Sequence, residues 1–389
     1  MKARIQKILK ACSAFIKYFR YSLVCKLKRI DNSNIWLISE RGVDARDNGF
    51  HLYEYIKKFH PELEIKFVIS KNSPDFEKIA DGDVVLYGSK EHYILFKTAG
   101  ALISTHIMGY SPDMSLFWRM DKKGLLKLKG KKVFLQHGVT CSYQPSFNKR
   151  FTKLDLFIVG SEKEGDSIKN NNGYGDTVIK CTGFCRYDTL IDKSSNSKKI
   201  ILIMPTFRKW LNYVDDFRST DYFKNWNGLL NNDDFLKFIE ANDIKVLFYP
   251  HFEIQKYIKE FKSKSKNVVI CSFDKYDVQD LLKIANVLIT DYSSVQFDFA
   301  YMEKKILYYQ FDEKKFYREH YKKGYFDFRK MGFGKVCTGE SDLIKNLRDF
   351  KTDKIFIKRK DTFFGHYDRN NSKRVFDEIR KIVKEGVDV

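Results

Sequence analysis

The sequence predicts an α/β protein made of two doubly wound parallel sheets in series. From residue 35 onward, short apolar runs rich in β-branched residues alternate with helical patterns, which is typical of parallel sheets covered by helices on both faces. The series is interrupted by a polar stretch, SSNSKK (194–199), and then starts again. With 389 residues, the chain is long enough for two domains that each have a hydrophobic core.

The predicted elements of the first domain, residues 31–193, follow one another at short spacing. Its apolar runs lie at 35–40, 66–70, 83–88, 101–106, 132–137, 155–161 and 177–183, with helical patterns at 51–59, 76–80 and 92–99. In the second domain, residues 194–370, the apolar runs lie at 200–205, 245–251, 267–273, 286–291 and 305–310, with helical patterns at 235–241, 277–285 and 294–302. A C-terminal helix is predicted over residues 371–389.

The composition indicates a basic globular protein from a reducing compartment. There are 71 Lys and Arg against 50 Asp and Glu, a net charge of +21, and 43% of the residues are hydrophobic. This apolar content excludes disorder as the dominant state. Seven cysteines without framework spacing favour free thiols over disulfides or a structural zinc site. The positive charge favours an anionic partner, and on charge alone this could be nucleic acid, lipid or a phosphorylated substrate.

Residues 1–30 predict a basic amphipathic helix on a membrane surface. They contain nine Lys or Arg and no acidic residue, and apolar side chains recur at near-helical spacing. Because Lys17 and Arg20 interrupt the apolar run, we expect neither a membrane span nor a signal peptide. A helix of this kind binds anionic lipid through its bases and its apolar face. The alternative is an N-terminal helix that packs on its own domain.

Two histidines are candidates for catalysis because each follows a predicted strand. Ligands of open parallel sheets bind beyond the carboxyl ends of the strands. His137 follows KVFLQ, and His251 follows KVLFYP. A histidine at such a position can act as a base or donate to a phosphate near neutral pH.

The segment TDYSSVQFDFA (290–300) predicts a phosphate-binding helix start. Asp291, Ser293 or Ser294 can cap the helix that begins just after the serines, and its free N–H groups attract a phosphate. Asp298 lies one turn further on the same face, where it could accept from a ribose or glycerol hydroxyl. An ordinary capped helix, with Asp298 solvated or capping the core, is the alternative.

Two arginines complete the predicted phosphate site. Arg186 follows the last strand of the first domain, and Arg208 follows the first strand of the second. A guanidinium can hold a phosphate bidentately, so these residues and the serines predict a diphosphate clamp between the domains. The sequence contains no dinucleotide fingerprint, no Walker loop and no carboxylate cluster at the strand ends. We therefore expect no metal and no other cofactor.

The set QHG, PTFR, YPH and TDYSSVQFDFA, in this order and spacing, resembles the CDP-glycerol glycerophosphotransferase family, which builds teichoic acids and capsule polymers. The opening IWLISERGVDARDNGFHLYEYI is similar to the start of that family's catalytic region. The resemblance spans roughly residues 33–370. It implies a GT-B fold with two Rossmann-like domains facing a central cleft, in a peripheral enzyme on the cytoplasmic face of the membrane. It also implies that the donor binds mainly to the second domain.

The same resemblance implies roles for individual residues. It makes His137 the general base of the acceptor domain and His251 the second catalytic residue. The residues that it places at CDP-glycerol, or a similar CDP-polyol, are Arg186, Pro205, Thr206, Arg208, Tyr249, Pro250, Ser293, Ser294 and Asp298. An acceptor hydroxyl would attack the β-phosphorus of the donor, and CMP would leave. The implied acceptor is a polyprenyl-diphosphate-linked saccharide.

Two other functions stay open at this point. A GT-B glycosyltransferase that uses a nucleotide sugar would share the fold and the phosphate-binding helix, and sugar nucleotides would then stabilise the protein. A non-enzymatic protein that binds nucleic acid or a membrane would bind oligonucleotides in a salt-sensitive way and release no CMP. We expect no nucleic-acid partner, because the bases do not interleave with aromatic residues in a known binding module.

The excess positive charge is concentrated in two segments. Residues 1–30 and 116–132 together hold 15 of the 21 net charges, and both mix bases with apolar side chains. Both lie in or beside the first domain. This distribution favours a surface of that domain that faces an anionic membrane.

Overall fold

The structure is a computed structural model that describes residues 2–195 and 197–384. The strands are β1 (Asn32–Ser39), β2 (Ile65–Ile69), β3 (Val84–Leu86), β4 (Ala99–Ser104), β5 (Lys131–Phe134), β6 (Leu156–Val159), β7 (Ile179–Cys181), β8 (Ile200–Met204), β9 (Lys245–Phe248), β10 (Val268–Ile270), β11 (Val287–Thr290), β12 (Lys305–Tyr309) and β13 (Gly334–Cys337). The helices are α1 (Lys2–Leu27), α2 (Asn48–Phe59), α3 (Lys90–Thr98), α4 (Met114–Lys122), α5 (Glu162–Asn172), α6 (Asp221–Leu229), α7 (Asp233–Ala241), α8 (Val278–Ile284), α9 (Val295–Tyr301), α10 (Glu313–Glu319), α11 (Phe328–Met331), α12 (Glu340–Leu347), α13 (Lys354–Phe363) and α14 (Asn371–Lys384). Short 3-10 helices lie at Phe76–Lys78, Asp81–Asp83, Pro145–Phe147, Cys185–Thr189, Lys209–Tyr213 and Phe252–Glu260.

The first of two compact units contains, among the described residues, a seven-stranded parallel sheet. This unit 1 consists of Met1–Val139, Gln144–Asp188 and Gly365–Val389. Its strand order, β3-β2-β1-β4-β5-β6-β7, reverses between β1 and β4. Ser104 of β4 is in register with Ser39 of β1 and with Phe134 of β5. The carboxyl ends of these three strands are therefore level, and the segments that follow them begin at one edge of the sheet.

The second unit contains, within the described range, a six-stranded parallel sheet. This unit 2 consists of Thr140–Tyr143 and Thr189–Phe364. The strand order, β10-β9-β8-β11-β12-β13, reverses between β8 and β11. Met204 of β8 pairs with Thr290 of β11, so these two strands also end level. The two doubly wound sheets predicted from the sequence are confirmed.

Each unit has an apolar core on both faces of its sheet. The central strands read as continuous apolar runs because they are covered from both sides, as Leu102 in unit 1 and Ile203 in unit 2 show. Aromatic side chains fill the space between strands and helices, for example Trp226 of α6, whose ring centroid lies 5.2 Å from that of Tyr309 in β12. None of the seven cysteines, all of which lie in the described part of the chain, is in a disulfide.

The C-terminal helix α14 belongs to unit 1. Its apolar face is buried, and Phe376 packs on Trp36 of β1 with ring centroids 5.4 Å apart. The Asp188 carboxylate accepts from the backbone N–H groups of Asn371 and Ser372 at 2.9 and 2.7 Å, which caps the helix. The units meet along the chain at 188/189, five residues before the predicted border, and residues 365–370 lie in unit 1 rather than in the second domain. Residues 385–389 of the predicted helix lie outside the described residues.

Helix α1 has two apolar faces. Ala14, Tyr18 and Cys25 are buried, and the ring of Tyr18 lies 5.3 Å from that of Phe117 in α4. The exposed apolar side chains of α1 are Leu9, Phe15, Ile16, Phe19, Leu23 and Leu27. Ile5 and Ile8 of the predicted apolar face lie outside the described side chains. The helix thus packs on its own unit, the alternative considered above, and still presents a second apolar face to solvent. In the described part of the chain, no helix is long and apolar enough to cross a bilayer.

Candidate functional site

Two histidine rings stack where β4 and β5 end in unit 1. The N–H of Leu135 donates to the Ser104 carbonyl at 2.8 Å, which continues the pairing of the two strands past their ends. The chain then places His106 and His137 face to face, with ring centroids 4.6 Å apart and planes 9° from parallel. His106 is half-buried, and His137 is exposed.

A strained residue places His137 at this edge. Gln136 has a φ of +56°, in the left-handed region that costs a non-glycine residue about 1–3 kcal/mol. Its side-chain amide donates to the Ile158 carbonyl at 2.8 Å and to Glu164 at 3.2 Å. Its carbonyl accepts from the Asn48 amide at 2.7 Å. These bonds hold the turn that directs His137 away from the core.

A hydrogen bond to one backbone carbonyl assigns the tautomer of His137. Its Nδ1 lies 3.4 Å from the Thr105 carbonyl, and a carbonyl only accepts, so Nδ1 carries the proton. In the neutral ring, Nε2 then keeps its lone pair. Desolvation by the surrounding protein lowers the pKa of His137, and the Asp47 carboxylate opposes that shift. The ring is therefore suited to accept a proton near neutral pH.

Charged residues of unit 1 surround the histidine pair. Arg186 is buried, and its Nη1 lies 2.8 Å from Oδ1 of Asp47, the residue before α2. The backbone N–H of Arg186 donates to the Asn48 side chain at 3.1 Å. Arg41 pairs with Asp44 in the segment after β1. The predicted site residue Arg186 is thus brought close to His137 through Asp47.

In unit 2, Arg208 lies at the centre of a buried ion-pair cluster. Its side chain is 0% exposed. Nε and Nη2 donate to the two oxygens of Asp312 at 2.8 and 3.0 Å, and Nη1 donates to the Thr206 carbonyl at 2.8 Å. Nη2 also lies 2.8 Å from the Asp291 carboxylate. Every nitrogen of the guanidinium therefore has a partner within unit 2, whereas the sequence predicted that Arg208 holds the donor diphosphate.

Asp291 organises the ends of β8 and β11. Its Oδ1 accepts from the backbone N–H groups of Thr206 and Tyr292 at 2.9 and 2.6 Å. The carboxylate thus bonds across the switch point of the sheet and does not cap α9. The N-cap residue of α9 is Ser294, whose side chain makes no capping bond, and the Ser293 hydroxyl accepts from the Val295 N–H at 3.4 Å.

The remaining predicted residues of unit 2 lie at the same edge of the sheet, after β8, β9 and β11. Ser293 and Ser294 are half-buried, and Asp298 in α9 is buried. The others are Pro205, Thr206, Tyr249, Pro250 and His251. Among the described residues, the buried Thr206 hydroxyl has no hydrogen-bond partner.

His251 is exposed and has the opposite tautomer to His137. Its Nδ1 accepts from the Glu253 N–H at 3.2 Å, so the proton of the neutral ring is on Nε2. The ring lies on that of Phe207, with centroids 5.9 Å apart. His251 can therefore donate a hydrogen bond where His137 can accept one.

Two histidines of these edges were not predicted as site residues. His106 follows a strand, and that position was its only sequence signal. His320, after α10, accepts at Nδ1 from the Lys209 N–H at 2.9 Å, and burial lowers its pKa to about 3. No periodicity or motif marks His320, because its neighbour lies 111 residues away along the chain. Within the described residues, no group of three or more His, Cys, Asp or Glu is placed to hold a metal ion.

Comparison with known proteins places the chain in one family. A model of the family described as CDP-Glycerol:Poly(glycerophosphate) glycerophosphotransferase matches residues 19–381. The chain is 32% identical over 371 residues to the minor teichoic acid biosynthesis protein GgaB of Bacillus subtilis (strain 168), but it spans only 40% of that protein's length and 90% of its own. It is 25% identical over 389 residues to the teichoic acid glycerol-phosphate transferase of Staphylococcus aureus (strain NCTC 8325 / PS 47), covering 94% of this chain and 98% of that protein.

Solved structures share the fold. The wall teichoic acid polymerase TagF matches with a TM-score of 0.72 and 18% identity, covering 100% of both chains. A UDP-N-acetylglucosamine 2-epimerase from Listeria monocytogenes, described as putative in its own structure, matches with a TM-score of 0.57 and 12% identity over 90% of this chain and 97% of that one. The family model covers well over half of the sequence, including both histidines and both sheet edges. The chain therefore belongs to the CDP-glycerol:poly(glycerophosphate) glycerophosphotransferase family.

Proposed function

We propose that this chain transfers glycerol phosphate, or a related polyol phosphate, from CDP-glycerol or a similar CDP-polyol to a hydroxyl of a lipid-linked acceptor. CMP is the second product, and the transfer serves teichoic acid or capsular polysaccharide biosynthesis. The observation that carries the proposal is the exposed His137, whose Nδ1 is committed to a carbonyl and whose Nε2 keeps a lone pair. Family membership supplies the class of substrate.

In the proposed step, His137 acts as general base. Its Nε2 takes the proton of the acceptor hydroxyl while that oxygen attacks the β-phosphorus of the donor. A P–O bond forms to the acceptor, the bond from the β-phosphorus to the bridging oxygen breaks, and CMP leaves with that oxygen. Such a transfer depends mainly on positioning and on neutralising charge.

We assign donor binding to the sheet edge of unit 2. His251 donates from Nε2, and the hydroxyls of Ser293 and Ser294 donate at the start of α9. Arg208 acts one step removed, as a positioning residue that holds Asp291 and the chain around Thr206. The further contacts to the donor that we propose are Pro205, Thr206, Tyr249, Pro250 and Asp298. In unit 1, Arg186 positions Asp47 beside His137.

The names of relatives support this substrate class without fixing the polyol. One TagF structure is of a variant soaked with CDPG. Another relative is a poly(ribitol-phosphate) polymerase, and a third is a glycerol-phosphate primase. The test must therefore compare polyols as well as nucleotides.

The experiment measures nucleotide release by the purified chain with an undecaprenyl-diphosphate-linked disaccharide. The donors are CDP-glycerol, CDP-ribitol, UDP-glucose and UDP-N-acetylglucosamine. We expect free CMP from a CDP-alcohol only, loss of that release in His137→Gln, and no loss in His366→Gln as the control. Release from a sugar nucleotide alone would identify a glycosyltransferase instead. We expect the rate to persist in EDTA, and an EDTA-treated enzyme that recovers only with Mg²⁺ would contradict the proposed metal independence.

We further propose that the chain is a peripheral protein of the cytoplasmic membrane face, held there by the exposed face of α1. Ile16, Phe19 and Leu23 are 66%, 50% and 57% exposed, and they lie at helical spacing. The bases Lys10, Lys17, Arg20 and Lys26 of the same helix, and Lys28 just after it, are also exposed. Bases beside an apolar stripe are what an anionic lipid surface binds.

A second basic segment lies next to this helix. The Tyr18 hydroxyl donates to the Lys127 carbonyl at 3.4 Å, which joins α1 to the loop after α4. In that loop Leu125 is 60% exposed. The exposed lysines here are Lys122, at the end of α4, and Lys123, Lys127 and Lys129 in the loop. The two basic segments identified in the sequence therefore form one surface of unit 1.

Vesicle binding tests this surface. We expect the chain to sediment with phosphatidylglycerol vesicles and much less with phosphatidylcholine vesicles. The double variant Ile16→Glu/Leu23→Glu should bind at least about tenfold more weakly, because two apolar anchors are replaced by like charge. Ile355→Glu, at an equally exposed isoleucine of unit 2, is the matched control. Equal binding by the double variant and the control would refute the membrane role of α1.

A further inference from the structure

The imidazole rings of His106 and His137 form a parallel stack at the edge of the unit 1 sheet. The rings are nearly parallel and 4.6 Å apart at their centroids. His106 is itself fixed, since its Nδ1 lies 3.0 Å from the Thr105 hydroxyl and its backbone N–H donates to the Ser104 hydroxyl at 3.1 Å. Ser104 in turn donates to the Glu40 carbonyl at 2.9 Å. His106 is thus a rigid platform.

His137 has little else to hold its ring. The hydrogen bond from its Nδ1 to the Thr105 carbonyl is long, at 3.4 Å, and its side chain is exposed. If the ring rotates about its Cβ–Cγ bond, Nδ1 loses the Thr105 carbonyl, and no hydrogen bond then keeps the exchangeable proton on Nδ1 rather than on Nε2. A base that must accept at Nε2 needs a second restraint on its plane.

We propose that His106 is a positioning residue for His137: the stacked ring fixes the plane of the His137 imidazole and so holds its Nδ1 proton on the Thr105 carbonyl. The dipeptide Thr105–His106 then restrains His137 on two sides, by a carbonyl and by a ring face. This inference rests on the proposed function for its catalytic consequence, although the restraint itself can be measured without any reaction.

Burial and the surrounding charges keep the His106 ring neutral. Burial lowers the pKa of His106, and the neighbouring His137 and Arg41 lower it further. Arg41 and Arg186 face the pair with positive charge, and the Asp47 carboxylate faces His137 with negative charge. A neutral His106 can stack on His137 both before and after His137 takes a proton, whereas two cationic rings would repel each other.

The ¹⁵N shifts of labelled histidine test the restraint, because they distinguish the two tautomers of a neutral ring. Spectra of the full chain are recorded at pH 8, and the resonance missing from His137→Gln identifies His137. We expect the Nδ1–H tautomer in the parent protein and in His106→Phe, which keeps a flat ring. In His106→Ala and in His106→Asn, which keeps a polar group without a ring, we expect a shift to the Nε2–H tautomer.

The matched control is His60→Phe. The His60 ring also stacks in unit 1, on Phe376 at 3.9 Å, yet it should not affect the His137 resonance. An unchanged tautomer in both His106→Ala and His106→Asn would overturn the inference. If one of these variants fails to fold by circular dichroism, the other decides.

Kinetics separates this inference from the proposed function. We expect turnover to fall about tenfold in His106→Ala with the donor KM changed by less than about twofold, and to recover in His106→Phe. Normal turnover in His106→Ala would overturn the catalytic consequence. If the parent protein releases no CMP while the tautomer shifts as expected, the proposed function fails and the stack remains a positioning device.

Discussion

At the scale of single residues, Arg208 shows how a charge can serve a site from inside the core. Its guanidinium contacts Asp291 and Asp312 with no exposure to water. A buried charge whose partner is removed is strongly destabilising, because the remaining charge stays desolvated. The cluster therefore fixes the end of β8, and removing one of its charges should strongly destabilise unit 2.

Replacing Arg208 should destabilise unit 2 far more than replacing a surface arginine. For Arg208→Met we expect a loss of about 3–5 kcal/mol in the free energy of unfolding, measured by denaturant titration. Arg218→Met is the control, since Arg218 is 62% exposed in its pair with Glu260 and should cost at most about 1 kcal/mol. Equal losses in the two variants would show that the cluster is not structural.

The proposed role of His137 as general base predicts a specific kinetic defect. His137→Gln should reduce turnover by a factor of about 10²–10⁴, while the dissociation constant for CDP-glycerol changes by less than about threefold. A discontinuous assay of CMP release measures turnover, and isothermal titration calorimetry measures the dissociation constant. A variant within about threefold of the parent rate would remove His137 from that role.

The sequence placed His137 and His251 at strand ends correctly, because strand patterns are local. It could not show that His106 stacks on His137, since this depends on the register of β4 and β5. Nor could it show that Asp312, 104 residues away, occupies the guanidinium of Arg208. Position along the chain was predictable, and the partner of each side chain was not.

At the scale of elements, the start of α2 is held by the Glu40 side chain, which directly follows β1. Glu40 is buried and accepts from three backbone N–H groups, those of Arg46 at 3.1 Å, Asp47 at 2.7 Å and Phe50 at 3.1 Å. Free N–H groups at a helix start need such acceptors. The helix was predicted from residue 51 and begins at Asn48, because the N-cap residue Asp47 accepts from the Asn48 N–H at 2.8 Å and Glu40 adds an acceptor from the end of β1.

Glu40 should make the stability of the protein depend on pH. Burial raises the pKa of Glu40, and the Asp47 and Asp44 carboxylates raise it further. The folded state then binds the proton more tightly, so the contribution of Glu40 to stability falls as pH rises from about 4.3, its ordinary value, through the folded pKa. Urea midpoints at pH 5 to 8 should therefore fall more in the parent than in Glu40→Gln.

The matched control for this measurement is Glu62→Gln, at a side chain of the same unit that is 70% exposed. Its midpoints should follow those of the parent protein at every pH. A constant gap between the parent and Glu40→Gln across the range would contradict the assigned direction of the shift.

At the scale of the whole molecule, the doubly wound architecture and its two units were predictable, because alternation of strand and helix patterns is a property of the entire sequence. The return of α14 to unit 1 was not, since nothing local marks the partner of its apolar face. The two apolar faces of α1 were not predictable either, because apolar periodicity does not say which residues contact protein and which contact solvent.

The division of labour between the units predicts where CDP-glycerol protects the backbone. In hydrogen exchange, we expect protection in residues 204–208, 249–253 and 291–298 of unit 2, because the proposed donor contacts lie there. Segments of unit 1 around β4 and β5 should exchange at unchanged rates with the donor alone. Protection confined to unit 1 would reverse the assignment of donor and acceptor units.

Glu40 also makes the turn after the first strand of unit 1 different from that of a nucleotide-binding sheet. In doubly wound sheets, the turn from the first strand into the first helix is the usual seat of a nucleotide phosphate, which the helix N–H groups bind. In unit 1 the Glu40 side chain occupies that position and accepts from the N–H groups there. Three of the N–H groups at this turn are therefore already bonded to the chain itself, which supports the proposed binding of the donor to unit 2.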